Sequence, residues 1–134
     1  MRCLFRLLSA HCKESDYMIV AGRAHDVPAS DISDGKTVVN AAKRVLIGPD
    51  QGAPTFIMRL FTLSEGGFSP FHKHAWEHEV FVIAGEGAVR GADGDTRVSA
   101  GDFIFVPPNE EHQFLNTSDK PFEFLCVIPK GGEG

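Results

Sequence analysis

Four of the six histidines in this 134-residue chain fall in two short, turn-bounded segments. His72, His74 and His78 lie in GGFSPFHKHAWEHEVFVIAGEG, and His112 lies in GDFIFVPPNEEHQFLN. Neutral imidazole is the commonest protein ligand for transition metals. The pattern therefore points to one metal site assembled from two distant stretches of chain. On an extended strand, residues two apart face the same side, so His72 and His74 project together, ~6–7 Å apart along the chain. Both can reach one ion at about 2.0–2.1 Å per ring nitrogen. His78 shares their parity, but a straight strand would carry it about 13 Å beyond His74. The chain must bend across Ala75, Trp76 and Glu77, and His112 must come from another strand facing the same cavity.

The elements that would hold these residues are strands. TFIMRLFTL, EVFVIAGEGAVRG, TRVSAGD, DFIFVPP, HQFLN and PFEFLCVI alternate with Gly, Pro and Asp punctuation, with almost no helical periodicity. Such spacing predicts a β-sandwich or barrel. Two further short strands are expected near 37–40 and 43–47, at an edge. SEGGFSP reads as a turn, GADGD as a hairpin with Asp93-Gly94 suited to positive φ, and KGGEG as a flexible end. On the last strand Phe124, Cys126 and Ile128 share one face, and Leu125 and Val127 the other. Both faces are apolar, as in a wall buried against a second layer.

The length suits one domain with a real core. The net charge of −5 and the lack of a Lys/Arg cluster exclude the basic footprint of a nucleic-acid binder. No apolar run is long enough to span a membrane, and Arg6 interrupts the only leader-like stretch. A cytoplasmic protein is expected. Three cysteines without framework spacing argue against a disulfide scaffold. Residues 1–17 read as an N-terminal extension, disordered or preceding a start at Met18, with a short docking helix carrying Leu4, Leu7 and Leu8 as the alternative. Residues 18–134 form the single domain.

The two histidine segments resemble the two motifs of the cupin superfamily. Gly66, His72, His74 and Gly85 match the first. Seven residues before Gly85 stands His78, where most cupins carry a glutamate ligand. Glu79 is within the tolerated first spacing but lies too close to Gly85. The resemblance thus assigns His78 as ligand and Glu79 to the opposite face. Gly101, Pro107, His112 and Asn116 match the second motif, with Asn109 where glycine is usual, a departure that bears on the turn. The set His72, His74, His78 and His112 is similar to that of small four-histidine cupins. What this implies is an all-β cupin barrel (a double-stranded β-helix, or jelly roll) holding one divalent transition metal ion. Mn(II) or Fe(II) is favoured by the resemblance, with Ni(II), Cu(II) or Zn(II) possible. A homodimer is also expected, because short cupins commonly pair sheets and the edge near 37–47 needs cover.

Other residues carry alternatives. Arg59, inside an apolar strand, either faces solvent, the ordinary position, or enters the pocket to hold an anionic group. Trp76 either walls the pocket mouth or packs at a subunit contact. Phe124, Cys126 and Ile128 would line the pocket if their face turns inward, and a cysteine there is more often a small core hydrophobe than a nucleophile. Glu77 and Glu79 either orient an imidazole or are solvated charges. His74-Ala-Trp-Glu-His78 also matches the HxxEH signature of inverted zinc proteases, but Pro70 and the β-rich run that follows oppose the helix this needs. His11 and His25 match nothing. The expected function is a metal-dependent oxidoreductase, a dioxygenase-type enzyme acting on a small organic substrate. The alternatives are a non-catalytic module that binds a small ligand or metal, and a metal-assisted isomerase or lyase.

Overall fold

The computed structural model describes residues 18–132. The expected extension over 1–17, with Cys3, His11 and Cys12, lies outside the described residues. Among the described residues nine strands follow in chain order: β1 (Ser30–Asp31), β2 (Val39–Ile47), β3 (Phe56–Phe68), β4 (His78–Ala84), β5 (Glu86–Gly91), β6 (Gly94–Ser99), β7 (Phe103–Val106), β8 (Gln113–Asn116) and β9 (Phe122–Pro129). The helices among the described residues are two single 3-10 turns, Ala24–Asp26 and Pro49–Gln51. The strands run in the order β6-β5-β8-β3-β9-β4-β7, with β2 also on β3 and β1 outside β2. The long strand β3 pairs with β9 from Phe56↔Pro129 to Leu63↔Phe122, and its end pairs with β8 at Phe68↔Leu115. Passing from one layer to the other, β3 curls the sheet into the expected all-β barrel.

Burial follows the two-residue period of a strand. On β4 His78, Val80 and Val82 are buried while Glu79, Phe81 and Ile83 are exposed. On β9 Phe122, Phe124, Cys126 and Ile128 are buried, and Leu125 and Val127 are half-buried. Phe124 stacks on Phe61 at 5.4 Å and on Phe114 at 4.7 Å, and meets Phe122 at 5.2 Å. Full burial of each such ring contributes about 1.5–3 kcal/mol, so this phenylalanine cluster is the floor on which the site stands.

Several local expectations change. The edge segment is one strand, not two: β2 runs unbroken through a register shift between Val39 and Ala41. Asn40 takes φ 50 there, and its amide donates to the Glu65 carbonyl at 2.9 Å. SEGGF is not a turn but the end of β3, with the bend confined to Gly66 at φ 76. EVFVIAGEGAVRG is two strands. Gly85 takes φ 81 between them, and a Cβ on it would lie 2.2 Å from the Pro121 carbonyl oxygen. Only glycine permits that corner. In the β5–β6 hairpin Gly94, not Asp93, takes the positive φ. The C-terminal segment is tied down as far as Gly132: Lys130 N–H donates to Thr55 O at 2.8 Å, and Gly132 packs against the Trp76 indole.

Candidate metal centre

His72 and His74 do not sit on a regular strand. They lie in the extended connection between β3 and β4, held by a single bridge. His72 N–H donates to His112 O at 3.1 Å, and His112 N–H to His72 O at 2.9 Å. Four residues lead from Phe68 to His72, but only three from His112 to Leu115, so an extra residue bulges out beside Pro70. Proline cannot donate to the ladder, which makes it a natural bulge position. The chain then bends across Ala75 and Trp76, and His78 opens β4 as expected. Asn109 takes φ 64, a left-handed conformation that asparagine tolerates, and its N–H donates to His74 O at 2.7 Å. The departure from glycine thus keeps the turn and ties it to the cluster.

The four rings come together. His74 and His112 each contact the other three, with centroids 4.6–5.1 Å apart. Ligand nitrogens of His72, His74 and His112 all lie within 4.8 Å of one another. His78 joins from the β4 side, its Nε2 2.8 Å from Nε2 of His74. His78 is 7% exposed and His112 3%.

Backbone carbonyls set the tautomers. His74 Nδ1–H donates to Trp76 O at 2.7 Å, and His112 Nδ1–H to Glu110 O at 2.8 Å. Each ring therefore presents a bare Nε2 lone pair inward. His112 Nε2 is buried and has no hydrogen-bond partner among the described residues. A buried acceptor left in this way is costly unless something binds it. Convergent, neutral, nitrogen-only donors with their outer nitrogens anchored fit a transition-metal ion. Glu77 and Glu79 bond to no imidazole among the described residues; carbonyls perform the orienting role considered for them. Glu79 is exposed, on the face opposite His78.

Electrostatics favour the neutral ring at His72, His78 and His112. Burial, with the neighbouring His112 and the Arg59 guanidinium next in importance, pushes His78 down to about 3. Burial and the rings of His112 and His74 lower His72. Burial lowers His112, against the hydrogen bond to Glu110 O, with His74 adding to the lowering.

The rings face a cavity of about 260 Å³. An apolar cavity of roughly 150 Å³ already accepts benzene, so a substituted ring fits. Arg59, Trp76, Phe124 and Cys126 line it; Ile128, on the same face of β9, is packed in the core instead. Trp76 stacks on His74 at 4.2 Å, walling the mouth. Arg59 is not solvated: it is 7% exposed, because its register partner is Cys126 on the inner face of β9. Its guanidinium lies over the Phe61 ring at 4.8 Å and donates from Nη2 to Cys126 Sγ at 3.0 Å. Lys43, Phe61 and Phe114 also line the cavity and were not picked out in the sequence. Lys43 sits on the strand read as an edge, and only the pairing of β2 with β3 turns it toward the site. His25 stays on the surface, paired with Glu123 at 3.1 Å.

A family profile for the cupin domain (Cupin_2) matches residues 59–128. Gentisate 1,2 dioxygenase 1 of Aquipseudomonas alcaligenes is 33% identical over 97 residues, 66% of this chain and 28% of that protein. Glucose-6-phosphate isomerase of Thermococcus litoralis is 35% identical over 54 residues, 37% of this chain and 28% of the isomerase. The chain spans less than a third of the length of these curated relatives. The solved structure of the polyketide cyclase RemF from Streptomyces resistomycificus matches at a TM-score of 0.77 and 32% identity, covering 84% of this chain and 80% of the cyclase.

Proposed function

The chain belongs to the cupin family, and from that premise we propose that it is a metal-dependent oxidoreductase of dioxygenase type. It acts on a small, partly apolar organic substrate at a divalent ion held by His72, His74, His78 and His112. The observation that carries this reading is the buried, unpartnered Nε2 of His112, turned into a cluster of neutral imidazoles at an aromatic-walled cavity. A bound divalent ion would supply Lewis acidity and, where redox-active, oxidation chemistry. Imidazole-only donors discriminate poorly among metals, and the Irving–Williams order favours copper and zinc in free competition. Geometry and supply then decide the metal; Mn(II) or Fe(II) remains our assignment.

The chain's own residues supply binding and orientation. Arg59 presents a buried cation to the cavity, suited to an acidic or enolic oxygen of the substrate. Phe61, Phe114 and Phe124 offer ring faces that exclude water and hold an unsaturated skeleton. The dioxygenase relative supports oxidation. The match to RemF, which covers most of both chains, favours a second reading: metal-assisted cyclisation or isomerisation without oxygen.

Two measurements test this. His78→Ala should lower the metal content of purified protein strongly and Glu79→Ala far less; the reverse ranking would replace His78 by Glu79 as ligand. Oxygen uptake by Fe(II)- and Mn(II)-loaded protein is then followed against a panel of enols, phenols and alkenes bearing acidic groups. Uptake with product supports the oxidoreductase. Turnover without uptake supports the cyclase or isomerase, and binding without turnover leaves a ligand-binding module.

A further inference from the structure

The wall formed by β2 and β3 carries two cations on one face. Lys43 on β2 pairs with Phe61 on β3, and Arg59 lies two residues before Phe61, on the same side of the sheet. Such diagonal neighbours stand about 7–8 Å apart at the backbone, within reach of long side chains. Phe61 lies between them, its ring centre 4.8 Å from the Arg59 guanidinium. Lys43 is half-buried, Arg59 is buried, and both line the cavity. The whole chain carries a net charge of −5, yet the described residues around this cavity include no Asp or Glu. Like charges side by side on one face repel. An anion seated between them reverses that cost.

The rest of the lining says what the anion is attached to. Phe61, Phe114 and Phe124 supply ring faces, and among the described lining residues Ser69 carries the one hydroxyl. That hydroxyl already accepts the Phe114 N–H at 2.8 Å. A sugar phosphate needs a partner for each hydroxyl it buries, and this wall offers few. A flat, conjugated acid needs ring faces and one anion site. A guanidinium matches the two oxygens of a carboxylate with its planar fork, and a lysine adds a point charge on a flexible stem.

We propose that Lys43 is a specificity-determining residue that, with Arg59, forms a carboxylate subsite on the β2–β3 wall, selecting planar unsaturated carboxylic acids. This subsite rests on the reading of the cavity as the substrate site. It adjoins the metal centre, since Arg59 Nη2 lies 3.5 Å from His78 Nδ1. An acid anchored there by its carboxylate places its conjugated skeleton beside the histidines.

Calorimetric titration of chelator-treated protein at pH 8, above the ordinary imidazole range, separates the two side chains from the metal. The probes are benzoate and cinnamate, each matched with its amide, and glucose 6-phosphate. Each acid should bind about 10–100-fold tighter than the amide of the same shape, as expected for hydrogen bonds to a charged group. Lys43→Met should cut that preference about tenfold while the amide affinity stays within about threefold, and Lys43→Arg should retain the preference. Zn(II) uptake on reloading should match the unaltered protein in both variants. Equal affinity for acid and amide, no binding of either acid, or a preference untouched by Lys43→Met would overturn the proposal. Glucose 6-phosphate binding tighter than both acids would also overturn it, giving the subsite to phosphate. The acid–amide comparison needs no variant, so it decides the question even if Lys43→Met fails to fold. Acid preference in unaltered protein that takes up no Zn(II) would support the subsite and sink the metal centre.

Discussion

His72, His78 and His112 are each held below the ordinary imidazole range, chiefly by burial. A ring whose folded value is depressed is protonated first in the unfolded chain. Its contribution to stability is therefore complete above the unfolded value of roughly 6.5 and is lost as the pH falls. For His78 that loss continues down to about 3. Chelator-treated protein should accordingly melt at progressively lower temperature between pH 8 and pH 5. A flat profile across that interval would mean the rings are not buried as neutral groups. The same neutrality serves ligation, which needs the bare lone pair. The histidine types and spacing were visible from the start, because a ligand must be a particular side chain. Their anchors were not, because the carbonyls of Trp76 and Glu110 belong to backbone that any residue carries.

At the scale of elements, corners decide what the strands can present. The run EVFVIAGEGAVRG is largely apolar and reads as one strand, yet Gly85 breaks it where β4 leaves the β9 layer. Hydrophobic pattern reports burial, not direction, so a corner made by glycine within an apolar run is hard to distinguish from a straight wall. Gly85→Ala adds a methyl within 2.2 Å of the Pro121 oxygen at φ 81. It should destabilise the protein by more than about 1 kcal/mol, read as a lower denaturant midpoint with unchanged slope; a midpoint within error of the unaltered protein would refute the corner. Arg59 illustrates the same limit. Strand parity placed it on one of two faces, and only pairing with Cys126 chose the inner one.

Among the described residues, the outward face of β4 and β7 is apolar and exposed. Phe103, Phe105 and Phe81 are 83%, 58% and 48% exposed, on adjacent strands with Phe81 opposite Phe103. At about 200 Å² per ring, these expose about 400 Å², half of what a standard interface takes from each partner. At the edge near 37–47, β1 pairs with β2 at Ala42 and Lys43, so part of that edge is covered within the chain. We propose that a second copy packs on the outward face of β4 and β7. Light scattering at micromolar concentration should give a dimer, and Phe103→Glu a monomer with intact metal binding. A monomeric unaltered protein would end this proposal. No helix among the described residues is long and apolar enough to cross a membrane.

The amino-acid sequence alone determined the strand-rich barrel and the four histidines that converge in it. Both depend on residue type at fixed spacing: period-two burial for strands, imidazole for ligation. Tertiary structure alone decided what surrounds those rings. The Cys126 sulfur beside His78 and the buried Arg59 depend on which strand lies next to which, and in what register. Register is a property of pairs of strands distant in sequence, so no single segment carries it.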